Sequence, residues 1–163
     1  VLNLAEPEEK ITLDAIWQIN SIDNLDGYEL LDNYILNIEQ KTMLKDYLSK
    51  IKLKTNYSMK VYNLDGEELS DEDYITTGSI TKIIYRDKVI SEIYNIVLGD
   101  INGDGLVTIT DVSKLFSHID DNGYEIKEDY YLKASDTNKD GNITITDISK
   151  LFAYIINNIL SLI

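Results

Sequence analysis

One twelve-residue pattern, written twice, constrains this chain more than any other feature. DINGDGLVTITD runs from Asp100 to Asp111, and DTNKDGNITITD runs from Asp136 to Asp147, 36 residues later. Each copy places a side-chain oxygen at positions 1, 3, 5, 9 and 12: Asp100, Asn102, Asp104, Thr108 and Asp111, then Asp136, Asn138, Asp140, Thr144 and Asp147. Position 6 is Gly105 or Gly141. Alternate oxygens around a sharp glycine turn suit a hard cation that takes six to eight oxygen ligands at about 2.3–2.6 Å. The backbone carbonyls of Leu106 and Asn142, at position 7, complete each set. The chain has no cysteine, and its one histidine, His118, lies outside both loops, so no soft or imidazole ligation competes. Calcium, as two ions, is the expected cofactor. Asp, Asn and Gly are also ordinary turn residues, but a turn requires neither a second copy nor the matched Thr and Asp that follow.

Position 12 is Asp111 or Asp147 where the general EF-hand form has Glu, so the shorter side chain must draw the exiting helix toward the ion. The duplication extends into that helix, because 13 of the 20 positions from Asp100 to Ile119 recur between Asp136 and Ile155. Apolar residues fall at helical spacing, at Val112, Leu115, Phe116 and Ile119 and again at Ile148, Leu151, Phe152 and Ile155. The stretch before the first loop, YNIVLG from Tyr94 to Gly99, is a strand pattern and not an incoming helix. Position 8 and its neighbours are expected to form a short β-bridge between the loops. Residues 127–135 read as a connecting helix after the turn signal Asp121-Asn122-Gly123.

These features together, the DxNxDGxxTxxD loop in duplicate, the following helices with Leu at their fourth position, and the linker YLKASDTNKDG, resemble a dockerin module. The resemblance implies an all-α three-helix module over residues 99–163, with two EF-hand-like calcium loops, that binds a cohesin domain on another protein. It also implies a bacterial, secreted or cell-surface setting and complexes that often degrade polysaccharides or glycoproteins, in the manner of a cellulosome. Carried over position by position, the partner-binding residues are Ile109, Thr110, Phe116 and Ser117 in the first copy and Ile145, Thr146, Phe152 and Ala153 in the second. The Ser-Thr and Lys-Arg pairs of the best-known cellulosomal type are absent, so an apolar, aromatic contact face is indicated instead. The two phenylalanines fit core packing as well as an interface, since an i, i+3, i+4, i+7 stripe needs no partner. The duplication suggests a two-fold axis and two binding orientations.

Residues 28–98 have another texture, that of a small α+β module. Short runs (YELL, YILNI, YSMKVYNLDGEEL, SITKIIYRDKVISEIYNIVLG) read as strands. Thr42 is the expected N-cap of a helix through about Ile51. Asp65-Gly66 marks one hairpin and Arg86-Asp87-Lys88 a second turn. This module is similar to those that stand directly before dockerins in clostridial-type secreted proteins. With no Pro-, Gly- or Ser-rich linker before Asp100, a rigid pair is expected. Residues 1–27, which hold Pro7, Trp17 and the run ITLDAIWQI, are an N-terminal segment or the end of an upstream domain, and the chain is expected to be a C-terminal part of something longer.

The net charge of −14, from 29 acidic against 15 basic residues, argues against nucleic acid, whose phosphates require a basic surface, and against anionic membranes. No apolar run is long enough to span a bilayer. With the spaced carboxylates assigned to calcium and a single histidine, the chain is expected not to be an enzyme and to be a monomer when unbound. Two alternatives remain: a calcium-stabilised structural terminus, or carbohydrate binding through Tyr57, Tyr62, Tyr74 and Tyr85. Six loop carboxylates repel one another without metal, which links calcium to folding. Chelator should therefore remove much of the helical far-UV circular dichroism, and added calcium should restore it; an unchanged spectrum would contradict the link.

Overall fold

The computed structural model describes residues 21–120 and 124–160. Pro7, Trp17, the ITLDAIWQI run and the Asp121-Asn122-Gly123 turn lie outside the described residues. A β-rich region comes first: β1 Ile22–Leu25, β2 Glu29–Leu31, β3 Tyr34–Ile38, α1 Leu44–Ser49, β4 Ile51–Leu53, β5 Tyr57–Tyr62, β6 Ile80–Tyr85 and β7 Lys88–Val97. Helices follow: α2 Ile109–Ile119, α3 Asp129–Ser135 and α4 Ile145–Leu160.

The main sheet has the order β2-β3-β7-β6-β5, and β1 with β4 forms a separate two-stranded ribbon. Neighbours are antiparallel except β3 and β7, which run parallel with Tyr34 opposite Tyr94. The β6–β7 hairpin turns on Arg86 and Asp87, both with positive φ (50° and 62°), the two-residue loop whose twist matches the strands. At Asp65-Gly66 the returning arm is short: Tyr62 bridges Glu68, and Leu69 N–H donates to Val61 O at 2.8 Å.

β7 fixes the layering, because its second half is buried on both faces. Ile93 and Val97 join Ile35, Tyr47, Val61 and Ile83 in one core, which α1 covers. Alternate residues Tyr94 and Ile96 point the other way, against Tyr34, Tyr130 and Ala134. The second face is thus closed by α3, from beyond the first acidic loop. A separate core of Ile101, Val107, Leu115, Ile126 and Leu151 lies among the last three helices.

Sequence patterning and structure differ around α1. Met43, with extended backbone (ψ 152°), occupies the N-cap position without a side-chain bond, whereas the Thr42 hydroxyl donates to Glu39 O at 2.7 Å. The helix stops at Ser49 because Ile51 is drawn into β4, where it pairs with Leu25 of β1. Residues 22–25 therefore pack with the α+β core.

Polar groups in this core are satisfied by one another. Tyr47 is fully buried, and its hydroxyl lies 2.7 Å from both Thr81 Oγ1 and Asn95 Oδ1, while Asn95 Nδ2 donates to Ser79 Oγ at 3.1 Å. Replacing Tyr47 by Phe leaves buried partners unpaired, which costs about 1–3 kcal/mol. Denaturant unfolding of Tyr47→Phe should show that loss with the calcium response unchanged.

Candidate functional site

Each acidic loop wraps around its own first aspartate. Asp100 is completely buried; its Oδ1 accepts the Gly103 and Asp104 N–H groups (2.8 and 3.1 Å), and its Oδ2 accepts that of Gly105 (3.1 Å). Asp136 Oδ1 accepts the Asp140 N–H at 3.1 Å, and Oδ2 that of Gly141 at 2.9 Å. The glycines turn the chain with φ of 77° and 84°.

The last aspartate closes each loop and also caps the next helix. Asp111 Oδ1 accepts Ile101 and Asn102 N–H (2.8 and 3.1 Å), while Oδ2 accepts Thr108 N–H (2.8 Å) as half of a capping box at the start of α2. Asp147 repeats this with Asn138 N–H at 3.1 Å and Thr144 N–H at 2.8 Å. The short side chain at position 12 thus has a structural reason: as the third helical residue it reaches back to the cap. Asn102 Oδ1 accepts Asp104 N–H and Asp104 Oδ1 accepts Leu106 N–H, both at 2.9 Å. Asn138 Oδ1 and Asp140 Oδ1 do the same for Asp140 and Asn142 N–H, each at 2.8 Å.

Burial pushes the Asp100 carboxyl up to about 6, with the N–H groups of Thr77, Gly105 and Gly103 pulling down against it and Asp111 adding to the rise. Asp140 is held below the usual carboxylate range by the Asn142 backbone N–H and the Asn138 amide. Among the described residues no three acidic or imidazole side chains gather into a metal cluster, because the loop carboxylates face backbone N–H groups. The donor chemistry still suits a hard cation, since all side-chain acceptors in the loops are oxygens.

The α+β module reaches into the first loop. Thr77 N–H donates to Asp100 Oδ2 at 2.9 Å, Lys41 N–H to Gly105 O at 3.1 Å, and Val107 N–H to Gln40 Oε1 at 2.9 Å. The last bond occupies the position-8 N–H expected for a bridge between the loops, and among the described residues the isolated bridges join Met43 to Tyr74 and Tyr62 to Glu68. Gln40 Nε2 also donates to Tyr154 Oη at 3.0 Å. Sequence reasoning missed Gln40, Lys41 and Thr77, since nothing in their spacing marks them.

The residues assigned to partner binding come to the surface. Ile109 and Ile145 are 55% and 58% exposed, and Phe116 and Phe152 49% and 44%, which removes the core alternative for the phenylalanines. Thr110, Thr146 and Ala153 are exposed and Ser117 partly so. Thr110 Oγ1 accepts from Asn102 Nδ2 and Thr146 Oγ1 from Asn138 Nδ2, both at 3.1 Å, so position 3 of each loop is tied to this face. His118 Nδ1 accepts the Ile126 N–H at 3.1 Å and so holds the connection between α2 and α3. The four tyrosines do not converge. Tyr57 and Tyr85 pair with ring centroids 5.0 Å apart, Tyr62 lies under Lys82 at the other end of β5, and Tyr74 abuts Gly105.

Residues 98–156 match the family model described as the dockerin type I domain, rather more than a third of the chain. That stretch is a dockerin module. Dockerins in general dock calcium-dependently onto cohesins, are not catalysts, and occur in extracellular or cell-surface proteins. No curated protein and no solved structure matches the chain. Among the described residues no helix is long and apolar enough to cross a membrane.

Loop position 4 separates the copies. A Cβ on Gly103 (φ 80°) would lie 2.5 Å from the Tyr131 hydroxyl oxygen, whereas its counterpart Lys139 carries a side chain at φ 62° and donates to Asn37 Oδ1 at 2.9 Å. Gly103→Ala should destabilise the protein by about 1–3 kcal/mol from left-handed strain, with the clash on top. Lys139→Gly should stay within about 0.5 kcal/mol of the parent, as surface substitutions do. Thermal unfolding of both variants in calcium checks the contrast.

Proposed function

We propose that this chain is a non-catalytic docking unit in which both loops bind calcium and present two equivalent faces to a cohesin domain. Asp100, Asn102, Asp104, Thr108 and Asp111, with the Leu106 carbonyl, would hold one ion. Asp136, Asn138, Asp140, Thr144 and Asp147, with the Asn142 carbonyl, would hold the other. The ions supply positive charge that relieves the crowding of six carboxylates and fixes the start of α2 and α4. The chain's own residues do the rest: Asp111 and Asp147 cap the helices, and Asn102 and Asn138 orient Thr110 and Thr146 on the contact face.

The observation that carries this reading is the paired exposure of Ile109 with Phe116 and of Ile145 with Phe152. Large apolar side chains held on well-capped helices are the anchors a protein interface uses. A purely structural terminus is also served by the contacts around Asp100, but it leaves these four side chains in water without a role. The setting implied is a secreted or cell-surface bacterial assembly, cellulosome-like and often polysaccharide-degrading, with the chain a monomer until it meets its partner.

Binding to a panel of cohesin domains, measured by calorimetry in calcium and in chelator, tests the reading. Binding should require calcium. Substituting Thr110 and Phe116 by Ala should leave affinity nearly intact because the second face still docks, while adding Thr146→Ala and Phe152→Ala should weaken it by at least about 30-fold, the loss of a hot spot. Strong loss from the first pair alone would refute two orientations, and cohesin binding untouched by all four would refute the interface.

A further inference from the structure

We propose that the α+β module preforms the first calcium loop and leaves the second to be ordered by its ion, so that the two sites bind calcium in sequence, the first more tightly. The proposal rests on the docking reading above and adds a regulatory consequence to it. Because the loops match at every side-chain ligand position, their surroundings form an internal control.

At the first loop, the module supplies two backbone donors and one side-chain acceptor: Thr77 N–H donates to Asp100 Oδ2 (2.9 Å), Lys41 N–H donates to Gly105 O (3.1 Å), and Gln40 Oε1 accepts the Val107 N–H (2.9 Å). Thr77 is itself rigidly placed, completely buried, with its hydroxyl donating to Val97 O at 3.0 Å and accepting Val97 N–H at 3.1 Å. Gly105 is buried against Ile75 O and Tyr74, and half-buried Gly103 lies against Tyr131. Among the described residues the second loop has no matching frame. Asp136 is only partly buried and accepts N–H groups from its own loop, Gly141 has open space around it, and the link to the module joins two exposed side chains, Lys139 and Asn37.

Ligands already held in place bind with less loss of conformational freedom, and outer partners of metal ligands are commonly worth 10–100-fold in affinity. The first loop, with Ile109 and Phe116 beyond it, then keeps its shape when calcium falls. The second loses its ion first and takes Ile145, Thr146 and Phe152 out of register. Falling calcium would thus reduce a two-faced docking unit to a one-faced one before docking fails.

The full chain, stripped with chelator and titrated with calcium, reports each loop through the amide resonances of Gly105 and Gly141. The Gly105 signal should saturate at calcium concentrations about 10-fold lower than Gly141. Gln40→Ala should shift the Gly105 titration to higher calcium and leave that of Gly141 unchanged. Gly141 saturating together with or ahead of Gly105 overturns the proposal, as does a Gly105 titration unmoved by Gln40→Ala. If the loops titrate together while the chain still captures a cohesin, only the sequential order falls; if neither glycine responds, calcium-dependent docking falls with it.

Discussion

The Asp100 carboxylate is held by four backbone N–H groups, three from its own loop and one from Thr77, 23 residues upstream in the α+β module. A buried carboxylate is costly unless its lone pairs are satisfied, so the loop must curl, Thr77 must sit where it does, and β7 must deliver Asp100 to that point. The remaining structure arranges these conditions. The bonds between the Thr77 hydroxyl and Val97 lock the end of β7, and the outer face of β7 packs on α3 through Ile96 and Ala134. Sheet and first acidic loop are consequently parts of one packed object.

The same constraint accounts for differences between copies that the sequence leaves unexplained. Gly103 stands where Lys139 stands in the second loop; a Cβ there would meet Tyr131 and the Thr77 carbonyl, whereas Lys139 is exposed and reaches Asn37. His118 and Tyr154 occupy equivalent places, yet one accepts from the α2–α3 connection and the other from Gln40. The two halves are similar in sequence, and packing against the α+β module makes their environments unequal while leaving Ile109, Phe116, Ile145 and Phe152 exposed.

Much of the site could be read from the chain alone, because the chemistry is local there. The oxygen spacing, the glycine turns and the exiting helices follow from periods of a few residues. Phe116 and Phe152 are ambiguous in sequence, since apolar spacing cannot tell a core residue from an exposed one beside it. What stayed hidden is non-local. The end of α1 at Ser49 depends on Ile51 pairing with Leu25, and the contacts of Gln40, Lys41 and Thr77 depend on chain brought together by the sheet. The expected cap at Thr42 failed because its hydroxyl turns back to Glu39.

If calcium-closed loops create the docking surface, metal and partner must be found together. Native mass spectrometry of the chain mixed with a cohesin that binds it measures this directly. The account predicts a one-to-one complex carrying two calcium ions that disappears in chelator. A complex that persists at the same strength free of metal would contradict it.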